Sequence, residues 1–96
     1  MGDFEKTLSE SLHRVLIELF GATAGAAVET RLDPNLASSD PEAYASNLQS
    51  LVGANPADVI IRRMEDAICV KFGVAKRRWQ SFSECIEAAR RQTQNI

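Results

Sequence analysis

The stretch from Asn55 to Gly73, NPADVIIRRMEDAICVKFG, constrains the fold more than any other part of the chain, because both ends of a helix are written into it. Asn55 can accept a hydrogen bond from an amide of the first turn, and Pro56 suits the first helical position, where no backbone donor is needed. Asp58 lies toward the positive end of the helix dipole and Lys71 toward the negative end, and Gly73 supplies the residue that commonly closes a helix. Between these signals Ala57, Ile60, Ile61, Met64, Ile68 and Phe72 recur at steps of three and four, which predicts one apolar face. Arg62, Arg63, Glu65 and Asp66 take the other. A helix over 56–72 with one face in a core needs partners to cover that face.

The rest of the chain offers them. Phe4, Leu8, Leu12, Val15 and Leu19 form a stripe over 3–20, with Leu16 and Phe20 beside it and Gly21 at its end. Ile17 falls opposite that stripe, so it either touches a second neighbour inside the domain or meets another chain. A short helix is expected over 23–32, where Gly25, Ala26 and Ala27 would let another helix approach closely. Asp33 to Asp40 reads as a loop dense in turn formers. Asp40, Pro41 and Glu42 start a helix over 41–52, with Tyr44, Leu48, Leu51 and Val52 on its apolar face. Ser81 and Glu84 make a capping box that starts a last helix near Phe82, running to about 92. The expectation is an all-α bundle of four or five helices in one domain, ordered over about 3–91 and frayed over 92–96.

Composition narrows the function classes. At 45% hydrophobic and 25% charged residues the chain has the make-up of a folded globular protein. Its apolar runs are too short to cross a bilayer and no signal-peptide pattern opens the sequence, which points to a cytoplasmic protein with no membrane role. Two cysteines and one histidine fall short of the four ligands of a closed zinc site, so no metal is expected, and Cys69 and Cys85 read as reduced, partly buried thiols. GATAG, from Gly21, lacks the Lys-Ser/Thr ending of a phosphate loop, so no cofactor is implied. His13 has no carboxylate or nucleophile near it in sequence, and no nucleophile stands beside a base, so enzyme activity is not expected.

Charge is uneven along the chain. Residues 1–53 carry 8 acidic and 3 basic side chains, a net −5; residues 54–96 carry 5 acidic and 8 basic, a net +3. The halves can attract each other within one molecule, or the same asymmetry can serve a dimer or a partner surface.

The segment VAKRRWQ, Val74 to Gln80, divides the functional readings. As a connector it would fold Trp79 onto the core. As part of a helix-turn-helix it would begin a recognition helix at Ala75, with Lys76, Arg77 and Arg78 available to phosphates or base edges. The two readings separate on whether residues 75–80 are helical and exposed.

The order of a Leu-rich first helix ending in Gly, a short Ala/Val helix, DPEAYASNLQSLVG leading into a helix that ends ICVKFG, and FSECIEAARR resembles the small all-α domains of archaeal proteins, often C-terminal output modules of signal-transduction chains. The resemblance spans most of residues 8–91. It implies a helical regulatory or interaction module with no active-site residues to carry over. The expected function is therefore a non-enzymatic interaction or signalling module with a protein partner or a second copy of itself, using Ile17 or the Trp79 region. The alternative is a nucleic-acid-binding domain using Lys76, Arg77 and Arg78.

Overall fold

The structure, a computed structural model, describes residues 3–33 and 35–94. Its elements are α1 (Asp3–Arg31), α2 (Leu36–Ser39), α3 (Pro41–Val52), α4 (Ala54–Phe72) and α5 (Phe82–Gln94), an all-α arrangement. α4 packs against α1, α3 and α5, so the best-signalled helix of the sequence is the one the others surround. The Cα radius of gyration of 12.4 Å matches the roughly 12.5 Å of a well-packed chain of this length.

The helix ends show how local chemistry sets this layout. Asp40 Oδ1 accepts from the Ala43 amide at 3.2 Å ahead of Pro41, the expected cap of α3. Ser81 Oγ accepts from the Glu84 amide at 3.2 Å, the expected start of α5. Asn55 does not cap α4: the helix already begins at Ala54, and Gly53 precedes it with no side-chain cap. Pro56 then falls within the first turn, where its missing donor still costs nothing because the first four amides of a helix have no partner within it. The link between α3 and α4 is thus Gly53 alone, at φ 96° and ψ 162°, a conformation nearly reserved for glycine.

The first two expected helices are one element broken at Gly21, whose φ of 85° and ψ of 167° turn the chain so that its second arm folds back on the first. Gly25 marks the contact. A Cβ there would lie 2.9 Å from the Leu16 carbonyl oxygen and 3.0 Å from Ile17 Cδ1. The close approach expected of the Gly-Ala segment is therefore made by the chain's own first arm, while Ala26 and Ala27 stay exposed. The expected loop over 33–40 contains a helical turn, α2, held by the Ser38 and Ser39 hydroxyls donating to the Asn35 carbonyl and by Ala37, which is fully buried. α5 runs on to Gln94, past the residue where fraying was expected; residues 95 and 96 lie outside the described ones.

One hydrophobic cluster joins all five helices. α4 contributes Ala57, Ile60, Met64, Ile68 and Cys69; Ile61 and Phe72, expected in the core, sit half-buried at its edge. α1 contributes Phe4, Leu8, Leu12, Val15 and Leu16, whereas Leu19 is exposed. Phe4 lies against Phe72 with ring centroids 5.2 Å apart, so the start of α1 meets the end of α4; Tyr44 stacks on Phe82 at 6.0 Å. Arg90 ties α5 to the far end of the bundle, its guanidinium 4.9 Å from the Phe4 ring centre and donating to the Ser38 carbonyl.

Candidate functional site

The basic segment forms no recognition helix. Residues 74–79 are irregular, because the chain leaves α4 through Gly73 and the Ser81 cap delays the next helix to Phe82. Val74 and Trp79 are half-buried against the core, and the Val74 amide donates to the Cys69 carbonyl at 2.9 Å. The segment is an ordered connector, and it splits its three cations between different surfaces. Arg77 pairs with Glu84 and lies 4.4 Å from the Trp79 ring centre. Arg77, Arg78 and Trp79 line a groove against α3 and α4, while Lys76 lines another groove, between α4 and α1. Ile17 does not face outward alone either: it is half-buried beside Gly25, so the second arm of α1 meets it inside the molecule.

The connector groove encloses about 630 Å³. Ala45, Ala57, Ile61 and Phe82 give it apolar surface, and Trp79 an aromatic wall. Two of its four carboxylates are engaged: Asp58 pairs with Arg62 at 3.3 Å, and Glu42 Oε2 accepts from the Ser83 amide at 3.2 Å, pinning the start of α5 to α3. Glu65 has no ion-pair partner among the described residues. Burial, then the charges of Asp66 and Asp58, push its carboxyl up to about 7 against the opposing pull of Arg62.

The second groove, between α1 and α4, measures about 440 Å³. Val15 and Ala67 line it, and two large apolar side chains stand out to solvent beside them: Leu19, 37% exposed, and Val70, 70% exposed. Leu19 belongs to the apolar stripe of α1, but the break at Gly21 carries the following chain away and leaves it uncovered. Charges of both signs surround these residues. α1 presents Glu10, Arg14 and Glu18, and α4 presents Arg63, Asp66 and Lys71. None of these six forms an ion pair among the described residues, whose salt bridges are His13 with Glu29, Arg62 with Asp58, Arg77 with Glu84 and Arg90 with Glu87.

The fold supplies a partner for His13 that the sequence did not reveal: Nδ1 lies 2.7 Å from Glu29 Oε1 on the returning arm, so against an ionised carboxylate Nδ1 carries the proton and donates. Ser9, one turn before His13, lines the same exposed cleft. Ser9 and the imidazole share no hydrogen bond among the described ones, and the amides around them belong to the middle of α1, where helical bonding leaves none for an oxyanion. Ser11 donates to the Thr7 carbonyl at 3.0 Å. Cys69 and Cys85 are free and fully buried, more deeply than expected, with Cys85 Sγ 3.9 Å from the Glu65 carbonyl. Burial pushes the Cys85 thiol up and away from the nucleophilic thiolate, and the neighbouring Cys69 and Glu65 add to this.

Among the described residues no group of three or more His, Cys, Asp or Glu side chains could hold a metal ion, and no helix is long and apolar enough to cross a membrane. No family model, curated protein or solved structure matches the chain. The functional reading therefore rests on the geometry of the two grooves.

Proposed function

We propose that the chain is a non-enzymatic helical interaction module, of a regulatory or signalling kind, whose working face is the groove between α1 and α4. The observation that carries this reading is the pairing of exposed Leu19 and Val70 at one groove, ringed by charges that form no ion pair among the described residues. Apolar residues surrounded by such charges suit a polypeptide partner, which can cover the first and pair with the second. The two free buried thiols fit work in a reducing compartment such as the cytoplasm. A phosphate-binding track fits less well, since Lys76, Arg77 and Arg78 are divided between two grooves and Arg77 is already engaged.

The test is capture of protein partners by the tagged chain and by its Val70→Glu variant. Val70 is 70% exposed, so the substitution leaves the fold intact while placing a charge in the face. Partners retained by the parent and lost by Val70→Glu support the reading; an unchanged set rejects it. Binding to mixed duplex DNA that weakens steeply with salt, and is abolished by joint replacement of Lys76, Arg77 and Arg78, would instead favour a nucleic-acid role.

A further inference from the structure

We propose that Cys69 and Cys85 are a redox modification site: sustained hydrogen peroxide joins them in a reversible disulfide that latches α5, and the connector before it, to α4. The inference stands whichever partner the α1–α4 groove takes. The two cysteines meet across the seam between α4 and α5. In an α-helix the carbonyl of one residue accepts from the amide four residues on, so the Glu65 carbonyl closes on Cys69. Cys85 Sγ lies 3.9 Å from that same carbonyl oxygen. A helical side chain leans back toward the start of its helix, which carries the Cys69 sulfur toward the same place. The Cys69 thiol is close enough to hydrogen-bond that of Cys85, and at 2% and 1% exposure the pair is sealed in the core.

Little else that is polar holds this seam. Among the described residues no salt bridge runs from α4 to α5. The stronger polar ties of α5 go to other elements: the Ser83 amide donates to Glu42 of α3 and Arg90 to the Ser38 carbonyl of α2. A disulfide would close a ring over residues 69–85 that contains the whole connector. The connector carries Lys76 to one groove and Arg77, Arg78 and Trp79 to the other, so the bond fixes a rim of both.

Peroxide supplies the oxidising equivalents. The thiolate of one cysteine attacks a peroxide oxygen, the O–O bond breaks, and hydroxide leaves and takes up the thiol's proton as water; the sulfur is now a sulfenic acid. The second sulfur attacks the first, the S–O bond breaks, and the oxygen departs as a second water with the second thiol's proton. Both thiols are oxidised and the peroxide is reduced to water. Hydrogen peroxide is small enough to reach the pair when α5 lifts locally from the bundle. Burial pushes the Cys85 thiol up, which keeps thiolate scarce, so the pair stays reduced through brief exposure and closes slowly.

The test treats the reduced, folded full chain with excess hydrogen peroxide. The expected product is a monomer lighter by two hydrogens, whose digest contains the Cys69 peptide linked to the Cys85 peptide and which dithiothreitol returns to the starting mass. Closing a ring of about 15 residues should raise the melting temperature by about 10 to 20 °C. Trypsin should cleave the native chain after Lys76, Arg77 and Arg78 more slowly once the bond has formed. Cys69→Ala and Cys85→Ala, checked by circular dichroism, should show neither the link nor the rise; if either fails to fold, the linked peptide from the wild type decides alone. Thiols that stay reduced, that end as sulfinic or sulfonic acid, or that link only between chains or in denaturant overturn the site. A disulfide that leaves the melting temperature unchanged or lowers it overturns the latch.

Discussion

Ile68→Ala probes the account of α4 as the centre of the bundle. Ile68 is fully buried on the helix that touches α1, α3 and α5. The substitution removes every side-chain carbon beyond Cβ, and at about 0.8 kcal/mol per buried carbon group the lost transfer free energy is about 2.4 kcal/mol. Full burial limits the collapse of the site; a residual hollow of about 50 Å³ at about 24 cal/mol per Å³ adds about 1.2 kcal/mol. A loss of about 3 to 4 kcal/mol is expected, which for a domain of this size lowers the melting temperature by about 15 to 30 °C. Urea unfolding followed by circular dichroism measures it, with an unchanged slope showing that the loss belongs to the native state. Val59→Ala on the same helix, at a position 56% exposed, is the control and should cost about 0.5 kcal/mol or less. A loss at Ile68 below about 1 kcal/mol, or one no larger than at Val59, would refute the placement of this face in the core.

Gly25→Ala should destabilise although alanine is the better helix former, because its Cβ would meet the Leu16 carbonyl oxygen at 2.9 Å; urea midpoints compared with Ala26→Gly, at an exposed neighbour, check the sign. Ser81→Ala removes the side chain that accepts from the Glu84 amide and should cost about 1 kcal/mol in the same assay. Glu65→Gln tests the connector groove. A carboxyl raised in the folded state from the ordinary 4.5 to about 7 lets the unfolded chain lose its proton first. Wild-type stability relative to Glu65→Gln should therefore fall as pH rises from about 4.5 to 7 and level off above that. A pH-independent difference between the two would show that Glu65 titrates normally.

The helices are legible in the sequence because their signals are local. Asp40 with Pro41 and Ser81 with Glu84 act within one turn, and each starts its helix where the spacing places it; of the apolar run over 57–72, Ala57, Ile60, Met64 and Ile68 are buried while Ile61 and Phe72 are half-buried. Asn55 misleads because a good capping residue cannot act once the turn at Gly53 has already begun the helix ahead of it. Periodicity is less able to say which flank of a stripe is covered. Ile61 and Cys69 lie on the same flank of the α4 stripe, Cys69 further from its centre, yet Cys69 is buried beside Cys85 of α5 while Ile61 lines a groove. Spacing alone puts Leu19 and Leu51 in the core as well, yet both are exposed, while Phe20 and Val52 beside them are half-buried against it.

The candidate site is the least legible part, because it depends on how elements meet. The run Lys76-Arg77-Arg78 is contiguous in sequence, yet an irregular connector sends its members to different grooves. The charges that line the α1–α4 groove are some fifty residues apart along the chain, and nothing in either helix alone marks them as sharing one groove. His13 and Glu29 meet only because Gly21 reverses the direction of α1. The −5 and +3 halves of the sequence are the one early sign, and both grooves bring side chains of the two halves side by side.

The measurement that tests the working face most directly is amide shift mapping of the isotope-labelled chain between dilute and concentrated solution, repeated with any captured partner. Changes gathered around Glu10 to Leu19 on α1 and Arg63 to Lys71 on α4 are the predicted result. Changes gathered instead around Arg78 and Trp79 at the connector groove, with α1 and α4 silent, would contradict it.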